Sequence, residues 1–378
     1  MTTPTTARFI LVALSVALTP ALPAQGPVPM PPRPSMGRDA DTNDAQAYYQ
    51  WAVQTEAGNA HDAFHWASRL EPNQTTYLFA RFHALLTRES GRWQEEFWRG
   101  SLSVRRSRKG QLLDSLLDEV MHRDPYAYVV LPCPRLPRLT RERNPERAGV
   151  GYWSVGCYQE ATVAFGAVLE RDPSRLDLLL LRAQGFYITR AYDSTVASLT
   201  VLIDSLRARD ATHLVRAYES KAMFEFMTGI AHERREDIPA ARDAYGRALT
   251  EDLGMAVAHQ RIARIAKSQG DTTQALAEFE TAANLRPQDA VLRFEFGTAL
   301  LEVGRHAEAE AQLREAARLE PYWPVPQFNL GAALQGQAKI DQAIAAYEAY
   351  VALAPGRTRP RIDEARRRIA ALRTAPER

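Results

Sequence analysis

From residue 222 to residue 357 the chain repeats its pattern every 34 residues. Gly270, Gly304 and Ala338 share one phase, Ala275, Ala309 and Ala343 a second, and Phe279, Leu313 and Tyr347 a third. Leu285, Leu319 and Leu353 follow, and Pro287, Pro321 and Pro355 close each period. Ala263, Gly297 and Gly331 mark the middle of the helix that precedes each set.

Each phase has a physical reason. Antiparallel helices approach closely only where one presents a small side chain, so Ala263, Gly297 and Gly331 are expected to face Ala275, Ala309 and Ala343. The residues at 270, 304 and 338 end the first helix of each pair, where a left-handed cap favours glycine. Phe279, Leu313 and Tyr347 lie four residues after the packing alanines, on the same face, and are expected to fill the space between repeats. The prolines stop the second helix and start the next repeat.

A fixed period of this length with a small–aromatic–small–proline order resembles the tetratricopeptide repeat family. One period back, Gly229, Ala241, Tyr245 and Ala248 keep the phase, with Leu253 in place of the proline. Gly156, Tyr158, Ala161, Phe165 and Pro173, then Ala183, Phe186, Tyr192 and Leu199, extend it toward the N-terminus. The resemblance implies an all-α fold, a right-handed superhelical solenoid of antiparallel helix pairs, here about eight repeats. Residues 45–124 form the divergent N-terminal repeats, 146–357 the main array, and 358–378 a capping helix and tail. In that last helix Ile362, Ala365, Ile369 and Leu372 form one apolar stripe opposite Arg366, Arg367, Arg368 and Arg373, which suits covering a final repeat. Residues 210–221 are extra and read as a lengthened helix.

The N-terminus is of different material. Arg8 precedes an apolar run from Phe9 to Leu18, and the small-residue stretch ends at Ala24 before Gln25. This describes a secretory signal peptide over 1–24, so an exported protein, periplasmic or secreted, with no stable transmembrane anchor after cleavage. Residues 25–44 hold five prolines and few bulky apolar groups, and read as an extended linker. Residues 125–145 hold five more, around Tyr126 to Leu131, and read as an extended insertion whose apolar start packs along the solenoid. The two cysteines, Cys133 and Cys157, are an even count suited to a disulfide in an oxidising compartment, the other reading being two free thiols. Closing that loop of about 24 residues contributes ~3 kcal/mol through the unfolded chain.

Little in the sequence points to catalysis. No Gly-x-Ser-x-Gly elbow, phosphate-cradling loop or paired-cysteine zinc spacing is present. His61 and His65 stand four apart around Asp62, a spacing that can share a metal, but Asp62 is where zinc proteases carry Glu, and both read as ordinary helix positions. The chain is therefore read as a non-enzyme with no cofactor and no metal. A formal net charge of +2, from 47 basic and 45 acidic residues, argues against a nucleic-acid partner. The basic runs at 99–109 and 357–373 read as solvated surfaces.

In the family that this chain resembles, the first helix of each repeat lines a concave groove. Carried onto this sequence, the groove stripe comprises Trp153, Leu180, Tyr187, Phe226, Ile230, Gln260, Arg264, Lys267, Phe294, Thr298, Leu301, Phe328 and Gln335. The family's Lys–Asn–Arg clamp for a terminal carboxylate is not reproduced. Phe294 and Phe328 stand at the first clamp lysine, and Thr298 and Ala332 at the asparagine. The resemblance implies a scaffold that holds a protein or peptide segment, on a largely apolar groove with a central basic patch. An accessory or glycan-binding subunit of an envelope polysaccharide pathway is the alternative, and an enzyme built on the N-terminal region a third reading.

Overall fold

The computed structural model describes residues 30–37, 40–54, 60–90, 93, 96–97, 101–127, 143–154, 156–212 and 220–374. The expected signal peptide lies outside the described residues, as do 128–142 of the proline-rich insertion, with Cys133, and most of the extra stretch, 213–219. The regular structure among the described residues is helical, and no strand occurs among them.

In chain order the helices are α1 (Ala45–Gln54), α2 (Ala60–Leu70), α3 (Thr75–Thr87), α4 (Leu102–Arg105), α5 (Arg108–Arg123) and α6 (Pro145–Ser154). Then come α7 (Tyr158–Leu169), α8 (Leu176–Ile188), α9 (Tyr192–Thr212), α10 (Ala222–Arg234), α11 (Ile238–Glu251) and α12 (Ala256–Ser268). The array ends with α13 (Thr272–Leu285), α14 (Ala290–Glu302), α15 (His306–Leu319), α16 (Val325–Gly336), α17 (Ile340–Leu353) and α18 (Arg359–Thr374). Two compact units divide the chain, one containing Leu85–Ala258 and the other Val28–Ala84 with His259–Arg378.

Local chemistry ends the helices where the period said it would. Gly270 and Gly304 take φ of 79° and 75° after α12 and α14, and Ala338 takes 57° after α16. Backbone N–H groups at the next helix starts are capped by side chains, with Asp271 accepting from Gln274 and Asp289 from Val291 and Leu292. Pro287, Pro321 and Pro355 each stand two residues beyond the end of α13, α15 and α17.

In the first unit α6 through α11 pack each on the next. Phe165, Leu178, Leu180, Leu199 and Phe226 are fully buried between them. Glu225, 2% exposed at its side chain, is held by Arg207 at 2.7 Å and Arg247 at 2.9 Å. One carboxylate so buried needs both partners to offset its desolvation. The start of the proline-rich insertion turns inward. Tyr126 is 3% exposed, and its hydroxyl donates to the carbonyl of Met227 at 3.1 Å. Cys157, at the head of α7, is buried and disulfide-bonded.

In the second unit α13 through α18 pack in sequence, and α1 packs on α2. At Gly331 and Gly297 the group that lies nearest is not the small residue of the second helix but a bulky one. A Cβ on Gly331 would stand 2.7 Å from the ring of Tyr347, and one on Gly297 would stand 2.8 Å from Cγ of Leu313. Leu313 and Tyr347, expected between repeats, thus lie beneath the first helix of their own repeat, because a bulky group from the second helix needs a facing position without a side chain. Ala365, Ile369 and Leu372 of α18 are buried against the preceding helices, and Arg366, Arg367 and Arg373 remain exposed.

The α1–α2 hairpin joins this unit through polar and aromatic contacts at two turns. Asp41 accepts from the backbone N–H of Gly356 at 2.6 Å, and Asn43 donates to the carbonyl of Ala352 at 3.1 Å. Arg357 lies 2.9 Å from Asp44 and also pairs with Glu71. Arg69 reaches Glu320 at 2.8 Å. Even so, burial outweighs Arg357 at Glu71 and raises its pKa, and burial with the Glu71 charge pushes the Tyr77 phenol up to about 12.

Candidate protein-binding face

The groove stripe read from the sequence divides between the two units. In the first, the structure packs it away from solvent. Leu180 and Phe226 are 0% exposed, Ile230 2% and Tyr187 8%. Phe226 meets Tyr245 with ring centroids 5.5 Å apart. Tyr187 lies under Tyr126, its hydroxyl accepting a 2.9 Å hydrogen bond from Nε of Arg234. Trp153 is half-buried against Tyr158 and Phe165. The chain's own Tyr126 therefore covers part of this stripe, a long-range contact that no periodic signal announces.

In the second unit the stripe is partly open. Arg264, Lys267 and Gln335 are exposed, and Phe294, Thr298 and Leu301 are half-buried. Phe328 is 8% exposed, its ring 5.5 Å from that of Tyr347 and 5.2 Å from that of Tyr350. The guanidinium of Arg361 lies 4.7 Å from the Phe328 ring centroid and that of Arg368 at 5.2 Å. Phe294 rests on Trp323, ring centroids 4.7 Å apart.

Polar groups step from one first helix to the next. Glu295 of α14 accepts from Nε2 of Gln260 at 3.0 Å and from Nε of Arg264 at 3.1 Å, the latter pair bidentate. Lys267 donates to Glu302 at 2.7 Å, and Asn329 of α16 donates to Oγ1 of Thr298 at 3.0 Å. The hydroxyl of Tyr347 donates to Gln335 at 3.1 Å. The basic patch expected here is thus matched by acid one repeat on. Sequence reasoning missed Glu295 and Glu302, although their spacing of 31 and 35 residues from Arg264 and Lys267 is close to one period. The result is a balanced, hydrogen-bonded face, with half-buried Phe294 and Leu301 each preceding one of its acids in the chain.

The two histidines flagged in α2 differ in setting. His61 Nδ1 lies 3.0 Å from Asp62. His65 is 7% exposed, and burial, with the charges of Arg81, Arg69 and His61, lowers its pKa to about 3. Among the described residues no group of three or more His, Cys, Asp or Glu converges to hold a metal. No helix among them is long and apolar enough to cross a membrane.

Residues 266–322 match the tetratricopeptide repeat family. This span runs from the end of α12 to the turn after α15, so over these residues the repeats inferred from spacing match that family. A comparison with the curated proteins found no match. Among solved structures the chain is similar to the C-terminal part of a TPR repeat-containing protein from Cytophaga hutchinsonii, at 18% identity and a TM-score of 0.47, covering 61% of this chain and 96% of that one. It is similar also to MamA, at 20% identity and a TM-score of 0.39, covering 46% of this chain and 94% of that one. A third similar structure is YrrB, described as a TPR protein with an unusual peptide-binding site, at 17% identity and a TM-score of 0.42, covering 51% of this chain and 94% of that one.

Proposed function

We propose that the tetratricopeptide repeats of this chain form an exported scaffold that holds a protein or peptide segment on the face made by α12, α14 and α16. The observation that carries this reading is the ladder from Arg264 and Gln260 to Glu295, and from Lys267 to Glu302, flanking half-buried Phe294 and Leu301. Paired charges fix a partner's register, and a partly open aromatic supplies contact area at low entropic cost. Export is supported by the apolar run from Phe9 to Leu18 ahead of Ala24, and by the disulfide at Cys157, since such bonds persist in oxidising compartments.

The partner is a segment with mixed charge and at least one apolar anchor, a composition that meets both the ladder and Phe294. Phe294→Ala combined with Arg264→Glu is the informative variant, because both side chains are at least partly open while Phe328 is not. Affinity capture from the native envelope fraction is expected to lose a specific protein with this variant at unchanged helicity. Retention of the same proteins at wild-type yield would move the binding face elsewhere.

A further inference from the structure

Residues 30–36, read as linker, run Met30-Pro31-Pro32-Arg33-Pro34-Ser35-Met36 and belong to the second unit. Proline fixes its own φ near about −65° and drives the residue before it out of the helical region. Pro31, Pro32 and Pro34 therefore bias this stretch to polyproline II geometry, with about three residues per turn and no internal hydrogen bonds. Over residues 31–36 exposure follows that threefold pattern. Pro32 and Ser35 are exposed, whereas Pro31 with Pro34, and Arg33 with Met36, are half-buried. Over these six residues one ridge is exposed and the other two are half-buried.

The protein side of the contact is aromatic. Trp66 of α2, 4% exposed, donates from Nε1 to the carbonyl of Pro31 at 3.2 Å. The guanidinium carbon of Arg33 lies 4.5 Å from the Trp66 ring centroid and 5.8 Å from that of Tyr322. An N–H of the same guanidinium donates to the carbonyl of Thr42 at 2.5 Å. The Trp66 and Tyr322 rings meet edge to face, 5.1 Å apart at 80°. Proline offers no N–H, so a proline-rich segment is recognised through its carbonyls and ring faces, and an indole N–H beside aromatic walls supplies both. Arginine over a tryptophan face adds a cation–π attraction.

We propose that Trp66, Tyr322 and the Thr42 carbonyl form a recognition site for a Pro-x-x-Pro segment carrying arginine. Residues 30–36 are its resident ligand, and a proline-rich, arginine-bearing segment of another protein displaces them. Displacement is within reach because no residue from 31 to 36 is fully buried and the segment has no secondary structure of its own to break. The site goes beyond the repeat face proposed above, sharing none of its residues.

The test uses the full chain and a fluorescein-labelled peptide with the sequence of residues 30–37. Pro31→Ala, Arg33→Ala and Pro34→Ala together vacate the slot without touching a fully buried side chain. Fluorescence anisotropy is expected to show saturable, sub-millimolar binding to the vacated protein, and at least about tenfold weaker binding to wild type, where the tethered segment competes at high effective concentration. Adding Trp66→Phe to the vacated protein keeps a ring but removes the N–H donor, and is expected to weaken binding by about tenfold. Tyr322→Ala gives an independent check should the tryptophan variant lose helicity. A peptide with alanine at its three prolines is expected not to bind. Absence of binding to the vacated protein, or equal binding to vacated and wild-type protein, would overturn the proposal.

Discussion

Tyr126 lies flat on Tyr187, their ring centroids 3.7 Å apart and their planes 9° from parallel. The two residues stand 61 positions apart in the chain, one at the start of the proline-rich insertion and the other in α8. The contact turns a position that the family pattern makes a groove residue into a covered one. Tyr126→Phe removes only the hydrogen bond to Met227 and is expected to cost about 1 kcal/mol. Tyr126→Ala also vacates the ring site and is expected to cost about 3–5 kcal/mol. Urea denaturation of the two variants checks both figures.

The left-handed residues give a pair of opposite outcomes. Gly304 and Ala338 occupy equivalent positions with φ of 75° and 57°, and a Cβ on Gly304 meets nothing within 4 Å. The conformation alone then decides the sign. Gly304→Ala is expected to destabilise by about 1 kcal/mol. Ala338→Gly is expected to stabilise by up to about 1 kcal/mol, less what the freer unfolded chain takes back. Both are read as shifts in denaturation midpoint.

Acid is expected to weaken the second unit through His65. Burial and the neighbouring Arg81, Arg69 and His61 charges hold its folded pKa at about 3, below the unfolded value of 6.5. Between these values the unfolded chain binds the proton and the folded one does not. Stability from this group is therefore fully present above about pH 6.5 and falls toward pH 3, by at most about 1.4 kcal/mol per pH unit. His65→Gln is expected to flatten the pH dependence of the unfolding midpoint across that window. An unchanged slope would show that His65 is protonated without cost.

Glu310 works in a lower window, its pKa lowered as that of His65 is but by hydrogen bonds to the charged form instead of by burial. Burial alone would raise its pKa, but hydrogen bonds from Lys339, Arg314 and Gln337 outweigh that and hold it at about 2. Its contribution is present above the unfolded value of 4.5 and is lost as the pH falls through 2. Glu310→Gln is expected to lower the thermal midpoint at neutral pH and to have little effect at about pH 2, which calorimetry at the two pH values separates.

What could be read in advance, and what could not, follows from range. Gly270, Gly304, the closing prolines and the apolar stripe of α18 act on their own turn or their nearest neighbour, and such constraints recur with the period. Leu313 and Tyr347 were found but placed between repeats, because spacing gives the face of a helix and not the depth to which a ring enters the facing one. The pairing of Arg69 with Glu320 spans 251 residues and belongs to no period. The same holds for Tyr126 on Tyr187. On the candidate face, Arg264 and Lys267 were legible as inner-stripe cations. Their partners were not, since Glu295 and Glu302 make sense only once successive first helices are laid side by side.

Site-specific photo-crosslinking tests the binding face most directly. A benzophenone amino acid placed at Lys267 or Gln335, both exposed on the first helices, is compared with one at Glu308, exposed on the second helix α15. Irradiation in the native envelope fraction is expected to give a discrete protein adduct from 267 and 335, lost on Phe294→Ala with Arg264→Glu, and none from 308. Adducts only from 308, or none that depend on Phe294 and Arg264, would contradict the assignment of this face to partner binding.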